Sequence, residues 1–488
     1  MAIKSQYISA STAIFINNFL QLLTLAICAR IFPPDQFALY LTITSMAWVI
    51  SPLTSFMMND SLSYYLGKGF LNQSDERGLV YGLLLKYFCH ISFGLLISYL
   101  IFNFISYFEL IKLLKPHHFL VFVSAFLLTS SRFMFEAIYR FLNLREKFAT
   151  APISYITTFG ILPLVILVNS STSDITEAVL KIAICTFLIV FFLLFTTIIN
   201  PFKKNSILNS PNFSLSKKIY VYGIQRIPLA FSFSVIMGLP IFYSQATNQP
   251  SSTIIVVGTT MSLLKILGQI NQVMTYVALP SVSNLVEKDW HKNGSIYFNN
   301  LKNIAFIVSF AFFCGSVGAG DVILKIWLDE ESINSNLTIF YWIAVFPLVN
   351  FYFFRSPIDG LSVISKNTKN ILISLVILIG LILSGIIISS TKVSFGIYFL
   401  ISISALALLS VRVINKEIKS TEKSPIGYSK NMFCFSLILF LISIFARLFV
   451  DSNNNMQLDL LILFGISISC LIYITYLIKV SSKLNYYK

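Results

Sequence analysis

The chain has 488 residues, of which 56% are hydrophobic and only 11% are charged, with a net charge of +15 and a mean hydropathy of +0.80. Ordinary soluble domains carry about 25% charged residues, and a soluble protein of this size could not hide so much apolar surface from water. The composition therefore excludes disordered, collagen-like and disulfide-rich secreted proteins and soluble enzymes. It predicts an all-α polytopic membrane protein.

The hydrophobic segments predict about fourteen transmembrane helices, because a bilayer core needs about 20 mostly apolar residues per helix. Turn-forming residues separate the segments, for instance Pro33-Pro34 and the run from Asp451 to Asn455. The stretch from Ser389 to Lys392 also allows a re-entrant pair. The predicted spans lie near 11–31, 36–58, 79–103, 119–140, 150–170, 176–199, 219–244, 252–279, 302–326, 337–356, 371–390, 393–413, 430–450 and 458–479.

Basic residues in the loops and near the ends of these spans are distributed unevenly between the two sides of the membrane. With an even number of spans, about 24 of them fall on the side that holds both termini, and about 7 on the other. Because basic residues accumulate on the cytoplasmic side, both termini are predicted to be cytoplasmic. The positive charge then reflects topology and attraction to anionic lipid headgroups. A nucleic-acid partner is not expected, since no basic domain stands outside the membrane.

Residue patterns that catalysis or metal binding would need are missing from the sequence. Its six cysteines sit singly in apolar runs, without a CxxC pair or a Cys/His cluster. Paired carboxylates for hydrolysis, a Ser/His/Asp set and a phosphate-cradling glycine loop are not found either. We therefore expect a transporter without catalytic residues, cofactor or bound metal, in which the substrate follows its own gradient or an ion gradient.

Several cationic and polar side chains fall inside the predicted spans, where charge usually faces a cavity or another charge. Arg226 and Lys265 have no acidic residue within their own helix, so we expect them to face a polar lumen. Lys86 and Gln269 extend this predicted set, together with Arg30, which snorkelling to the membrane surface would explain equally well. A positive lumen suits an anion, and the planar fork of arginine matches phosphate.

One face of the fourth span carries Arg132, Glu136 and Arg140, at positions i, i+4 and i+8. Glu136 is the only acidic residue that we place well inside a span, which makes it the candidate for coupling to H⁺ or Na⁺. The alternative is an internal pair with Arg132 that only fixes helix packing.

Five segments resemble polysaccharide-exporter proteins in their order and spacing. NNFLQLLTLAICARIFPPDQFALYLTITS is similar to the opening hairpin of that family, EAIYRFLNLREKFATAPI to its basic connection from helix four to five, and YVYGIQRIPLAFSFSV to its entry into helix seven. VVGTTMSLLKILGQINQVMTYVALPSVSNLVEK resembles the helix-eight stretch, and GDVILKIWLDEES the end of helix nine. The chain thus resembles the multidrug/oligosaccharidyl-lipid/polysaccharide (MOP) exporter superfamily, in its O-antigen or capsule repeat-unit flippase (Wzx-type) branch.

This resemblance implies two six-helix lobes, residues 1–200 and 201–415, arranged as a V around a central cavity. It implies alternating access without ATP, carrying an undecaprenyl-pyrophosphate-linked oligosaccharide from the cytoplasmic to the outer leaflet of a bacterial inner membrane. Many members of the branch have twelve spans, whereas the additional helix pair at 416–488 resembles the layout of lipid-linked peptidoglycan-precursor flippases. By position along their helices, the equivalents of the family's lumen cations are Arg30, Arg132, Arg226 and Lys265.

The partners implied are the lipid-linked oligosaccharide and membrane lipids, with a polysaccharide polymerase and a chain-length regulator as further candidates. Two other functions stay open. A drug or cation exporter of the MATE type needs lumen carboxylates, whereas the first span offers Asn17 and Asn18. A membrane O-antigen polymerase or ligase usually needs a sizeable external loop, and the predicted outer loops are short.

Overall fold

The fold was analysed on a computed structural model of the protein. Almost all described residues of the predicted spans are helical, and the described residues contain no strand, so the all-α prediction is confirmed. The predicted re-entrant region around Ser389 to Lys392 lies outside the described residues. These are residues 2–55, 61, 92–100, 102–104, 106–107, 118–144, 150–169, 175–194, 196, 213–268, 270, 274, 278–279, 281–283, 285–286, 290–328, 335–361, 365–387, 395–419, 430–452 and 456–486.

The helices of the first half of the chain match the first eight predicted spans, with further helical residues within 92–107 for the third. A π-helical turn at Thr157–Ile161 interrupts the fifth. The helices are α1 (Ala2–Ile31), α2 (Pro34–Ser55), α3 (Phe119–Leu144), α4 (Thr150–Ile156), α5 (Leu162–Asn169), α6 (Ile175–Leu194), α7 (Phe213–Ala246) and α8 (Ser251–Leu267).

In the second half, the tenth predicted span is broken into two helices at Ala344. Pro347 explains the break, because it lacks the N–H that would bond to the carbonyl of Ile343. The helices are α9 (Trp290–Leu328), α10 (Ser335–Ile343), α11 (Val345–Gly360), α12 (Lys366–Ile387), α13 (Phe395–Lys419), α14 (Lys430–Ser452) and α15 (Met456–Tyr486).

The length and apolar composition of its helices identify the chain as a multi-pass membrane protein. Six helical segments of the described residues are long and apolar enough to cross a bilayer, and seven more are apolar but shorter. Helices suit this environment because they satisfy every backbone hydrogen bond within the segment. The six long segments are Ile175–Leu193, Lys217–Ala246, Ile296–Leu328, Asn336–Gly360, Lys366–Gly385 and Phe395–Glu417.

Two compact units make up the chain, each assembled from segments that are distant in sequence. The first unit consists of Met1–Gly258, Gln272–Asn284 and Asp359–Thr368. The second consists of Thr259–Asn271, Leu285–Ile358 and Lys369–Lys488. The division into lobes at 1–200 and 201–415 and a helix pair at 416–488 stays a prediction.

Within the first unit, α2 packs against α3 and α7, while α1 packs against α4, the π-turn and α5. Buried polar contacts connect these helices: Gln245 of α7 donates to Thr42 of α2 across 3.0 Å. Gly160 of the π-turn lies so close to α1 that a Cβ there would come within 2.5 Å of Leu20. Small residues therefore allow the helices of this unit to approach closely.

Within the second unit, α9 is the central element and packs against α10, α13, α14 and α15. A buried apolar cluster joins α9 to the C-terminal helix pair through Ala311, Leu439 and Tyr473. Gly318 of α9 lies against Ile466 and Ser443 at the same interface. The helix pair α14–α15 is thus an integral part of the core of this unit.

Candidate functional site

Arg226, one of the predicted lumen cations, lies in α7 with only 1% of its side chain exposed. Its Nη1 lies 2.9 Å from Oδ1 of Asp359, a residue whose side chain is 5% exposed. Its Nη2 donates a hydrogen bond of 2.7 Å to the backbone carbonyl of the same Asp359. The guanidinium also lies 4.1 Å from the ring centroid of Tyr222, one helical turn earlier. Arg226 is therefore neutralised in this structure by a carboxylate from another helix.

The contact is built on the end of α11, which stops at Gly360. The last four carbonyls of a helix have no partner within the helix, and positive charge is favourable there. Arg226 donates to one of these carbonyls, at Asp359, and Tyr222 Oη contacts the same oxygen at 3.4 Å. One arginine thus caps the end of α11 and pairs with its terminal carboxylate.

The other donors to the Asp359 carboxylate come from the beginning of α12. Ser365, the residue before α12, donates from Oγ to Asp359 Oδ1 at 2.5 Å, and Asn367 donates from Nδ2 to the same atom at 3.3 Å. Ser365 also caps α12, since its Oγ accepts the backbone N–H of Asn367 at 3.2 Å. Guanidinium, hydroxyl and amide groups therefore converge on one carboxylate oxygen, an arrangement suited to holding an oxyanion.

A second buried ion pair lies in the second unit, between α9 and α14. Arg447 Nη2 donates to Asp321 Oδ2 at 2.9 Å, while Oδ1 accepts hydrogen bonds from Thr338 Oγ1 at 2.6 Å and Trp342 Nε1 at 2.7 Å. Two buried acidic residues besides Glu136 therefore lie within helices, and the expectation that Glu136 is the only one well inside a span stays a prediction. Asp321 and Asp359, both 4% exposed, escaped notice because they lie in the last turns of their helices.

Two more of the predicted site residues are described with their side chains. Arg30 is exposed in the last turn of α1, where a cation interacts favourably with the helix dipole. Lys265 is half-buried in the last turn of α8, in the second unit. The helix ends just beyond it, where a Cβ on Gly268 would lie 3.1 Å from Tyr352 Oη.

The remaining predicted site residues fall partly or wholly outside the described residues. Arg132 and Glu136 lie in α3, as expected, with only their backbone described. Lys86 and Gln269 are not among the described residues. The roles of all these side chains as substrate or ion ligands stay predictions.

Sequence reasoning missed Asp359, Ser365 and Asn367 as companions of Arg226. The search for a partner was confined to the helix that carries the arginine, whereas Asp359 is 133 residues away. A usable signal was the run from Asp359 to Asn367 at a helix–helix connection, because polar residues there can cap both helices.

No model of a known protein family matches the sequence, and no curated protein matches it. Solved structures do match. The lipid II flippase MurJ in an inward closed conformation superimposes with a TM-score of 0.58 and 16% identity, over 96% of this chain and 98% of that one. A MATE protein in complex with MaD3S superimposes with a TM-score of 0.52 and 12% identity, over 87% of this chain and 97% of that one. The D35N mutant of the Vibrio cholerae MATE transporter VcmN superimposes with a TM-score of 0.52 and 11% identity, over 86% of this chain and 98% of that one.

At these identities the likeness establishes a shared architecture, and it extends over nearly the whole of each chain. It agrees with the all-α, multi-pass character derived above. The chain therefore shares the fold of MurJ and the MATE proteins.

Proposed function

We propose that the protein is a flippase for a lipid-linked oligosaccharide. It moves an undecaprenyl-pyrophosphate-linked repeat unit, of the O-antigen or capsule type, from the cytoplasmic to the outer leaflet by alternating access without ATP. The observation that carries the proposal is the position of Arg226 inside a span. There the arginine converges with a hydroxyl and an amide on one oxygen of the Asp359 carboxylate. Diphosphate is the charged part of such a substrate, and arginine matches its geometry.

The proposed binding set joins Arg226 and Lys265 to Arg30, Lys86, Arg132 and Gln269. The pyrophosphate binds the cationic groups, the sugars occupy the polar part of the translocation path, and the lipid tail remains in the bilayer. Glu136 is the proposed site of coupling to H⁺ or Na⁺. The proposed setting is a bacterial inner membrane with both termini cytoplasmic, where a polysaccharide polymerase and a chain-length regulator are the proposed partners.

The extent of the structural match supports a flippase over a drug exporter. The match to MurJ covers 96% of this chain, whereas the matches to the two MATE proteins cover 87% and 86%. The C-terminal helix pair α14–α15 contributes to the core of the second unit through α9.

The decisive experiment is a clean deletion in the native host, with polyprenyl-linked saccharides extracted from each leaflet. Complete repeat units retained on the cytoplasmic face, with none at the surface, are the expected result. Unpolymerised single units at the surface would indicate a polymerase instead, and an unchanged glycan would contradict the proposal.

A point substitution then tests the cationic set. Complementation with Lys265→Gln is expected to reduce surface glycan strongly at normal protein levels. Lys369→Gln is the matched control, because it removes the same charge from an exposed position of α12. Equal complementation by both variants would contradict the assignment of Lys265.

Drug or cation export is the second candidate, and the buried carboxylates Asp321 and Asp359 favour it, since cation exporters need acidic groups within the fold. Each of these carboxylates is paired with an arginine, however, so that neither pair has a net charge to offer a cation. Uptake of ethidium by everted vesicles distinguishes the candidates: the flippase proposal expects none above the deletion strain.

A further inference from the structure

We propose that Asp359 is an internal substitute for the substrate's phosphate: its carboxylate occupies the donors of Arg226, Ser365 and Asn367 until a diphosphate oxygen displaces it. The donors then form an anion site that is closed by the protein's own carboxylate. The nature of the ligand, a polyprenyl-linked diphosphate, rests on the proposed function. The exchange itself rests on the geometry of the first unit, to which all four residues belong.

Convergence on a single atom is the first argument. Arg226 Nη1, Ser365 Oγ and Asn367 Nδ2 lie 2.9, 2.5 and 3.3 Å from Asp359 Oδ1. Among the described residues, no contact to Oδ2 is found. The cluster therefore surrounds one oxygen atom, and any oxyanion that presents one terminal oxygen can make the same three contacts.

The second argument is the chemistry of the donors. Ser365 and Asn367 stand at the beginning of α12, a helix of 22 residues, where the backbone dipole favours negative charge. The guanidinium of Arg226 adds a full positive charge that cannot be lost by deprotonation. Arginine, hydroxyl and helix N-terminus are groups with which proteins bind phosphate.

The third argument concerns the charge balance during transport. A buried arginine without an anion is strongly disfavoured, so a guanidinium that binds and releases a charged ligand needs a replacement between cycles. Asp359 provides it in the present structure. Because a diphosphate carries more negative charge than one carboxylate and is held at high local concentration by its lipid tail, it can compete for these donors.

Asp359 is also placed where it can withdraw without moving a whole helix. It is the last residue but one of α11, and the connection to α12 begins directly after Gly360. The end of α11 packs tightly, since a Cβ on Gly360 would lie 3.1 Å from the carbonyl oxygen of Leu279 and 3.0 Å from Val282. Withdrawal of the Asp359 carboxylate would therefore displace the segment that contains Leu279 and Val282.

Binding measurements on the full-length chain in lipid nanodiscs test the exchange, with farnesyl pyrophosphate as the probe and isothermal titration as the readout. In Asp359→Asn the competing charge is removed, and the apparent Kd is expected to fall about tenfold, because affinity is reduced by the fraction of protein whose site is already occupied. Asp321→Asn is the matched control. It removes a carboxylate of equal burial that is also paired with one arginine, and its Kd is expected to equal that of the wild type.

The double variant Arg226→Gln, Asp359→Asn is expected to lose the gain in affinity for farnesyl pyrophosphate, because the Asp359 carboxylate acts by occupying Arg226. A second single variant, Asp359→Glu, keeps the charge for folding but moves the carboxylate away from the point of convergence. Its Kd is expected to fall about threefold. The proposal is overturned if folded Asp359→Asn, or Asp359→Glu where the former does not fold, binds farnesyl pyrophosphate no more tightly than the wild type.

The choice of probe separates this inference from the proposed function. If inorganic pyrophosphate shows the same gain as farnesyl pyrophosphate, the exchange is supported with a soluble diphosphate as its ligand, and the lipid-linked assignment fails. If glycan transport depends on the protein but Asp359→Asn shows no gain in binding, the flippase proposal stands and the exchange is overturned.

Discussion

The two arginine–aspartate pairs have equally buried aspartates and differ in how the carboxylate is used. Asp321 divides its contacts, with Oδ2 facing Arg447 and Oδ1 accepting from Thr338 and Trp342. Asp359 receives Arg226, Ser365 and Asn367 on Oδ1 alone. The former is the pattern of a fully satisfied structural network, which rigidifies a core.

This difference has a counterpart in the helices that each pair joins. Arg447 fixes α14 to α9, two helices that already share an extended apolar interface. Arg226 instead contacts the end of α11, through the carboxylate and the carbonyl of Asp359, and hinges are often residues at the ends of helices. Aspartate burial alone therefore does not separate the two pairs, whereas the distribution of contacts over the carboxylate oxygens does.

Replacing Arg447 and Arg226, one at a time, is expected to have the largest effects on stability and on transport. Arg447→Gln leaves Asp321 without its counter-charge and should destabilise the protein by about 3–5 kcal/mol, while transport per folded molecule stays near the wild-type value. Arg226→Gln should lower transport per folded molecule at least about tenfold, since it removes the proposed phosphate ligand. Surface glycan in a deletion host, normalised to the monodisperse protein in detergent, measures both. Equal losses per folded molecule would contradict the distinction.

A glycine substitution tests how firmly the helix pair holds to α9. Gly318→Ala would place a Cβ 2.7 Å from Ile466 and 3.1 Å from the carbonyl oxygen of Ser443, so overpacking should destabilise by about 1–3 kcal/mol. Gly315→Ala, one turn earlier, meets only Cys470 at 3.6 Å and serves as the control. Thermal unfolding midpoints in detergent give the comparison, and a midpoint for Gly318→Ala at or above that of Gly315→Ala would rule out close packing there.

Neutral donors offer a finer comparison of the two clusters. Trp342→Phe removes a 2.7 Å hydrogen bond to Asp321 and should destabilise by about 1–2 kcal/mol. Tyr222→Phe removes a 3.4 Å contact to the Asp359 carbonyl and keeps the aromatic face beneath Arg226, so the expected change is below about 0.5 kcal/mol. Unfolding midpoints of the two variants, measured in parallel, check this order. A larger decrease for Tyr222→Phe than for Trp342→Phe would contradict it.

The smallest effect is expected where two neutral hydroxyls join helices. Ser374 of α12 and Ser402 of α13 donate to each other's backbone carbonyl or hydroxyl at 2.7–2.9 Å. Hydrogen bonds between membrane helices average about 0.6 kcal/mol, so Ser374→Ala should lower the unfolding midpoint slightly. Ser384→Ala, which loses only a bond within its own helix, is expected to have no measurable effect.

Hydropathy predicted the existence of the helices well and their ends less well, because it detects the bilayer core and not the helix. The span predicted at 302–326 begins in the structure at Trp290, since the polar residues before it also continue the helix. The π-turn at Thr157–Ile161 was not predicted either. It precedes Pro163, whose missing N–H removes the normal bond to Phe159 and allows the wider turn.

Charge was harder to interpret than apolar length. The sequence correctly singled out Arg226 as a cation within a span, because an isolated arginine in an apolar segment is conspicuous. It could not supply the partner, since the choice among distant carboxylates depends on which helix ends meet. Asp321 and Arg447 illustrate the same limit, being joined across 126 residues.

The length of α9 has a mechanical consequence. Its 39 residues extend roughly 58 Å at 1.5 Å per residue, about twice the thickness of a hydrocarbon core of about 30 Å. Lys302 binds Asn415 of α13 about a third of the way along α9, and α14 and α15 pack against the same helix. A tilt of about 10° around its midpoint would displace each end by about 5 Å. The helix is therefore long enough to act as a lever that converts a small rotation within the bilayer into a large movement outside it.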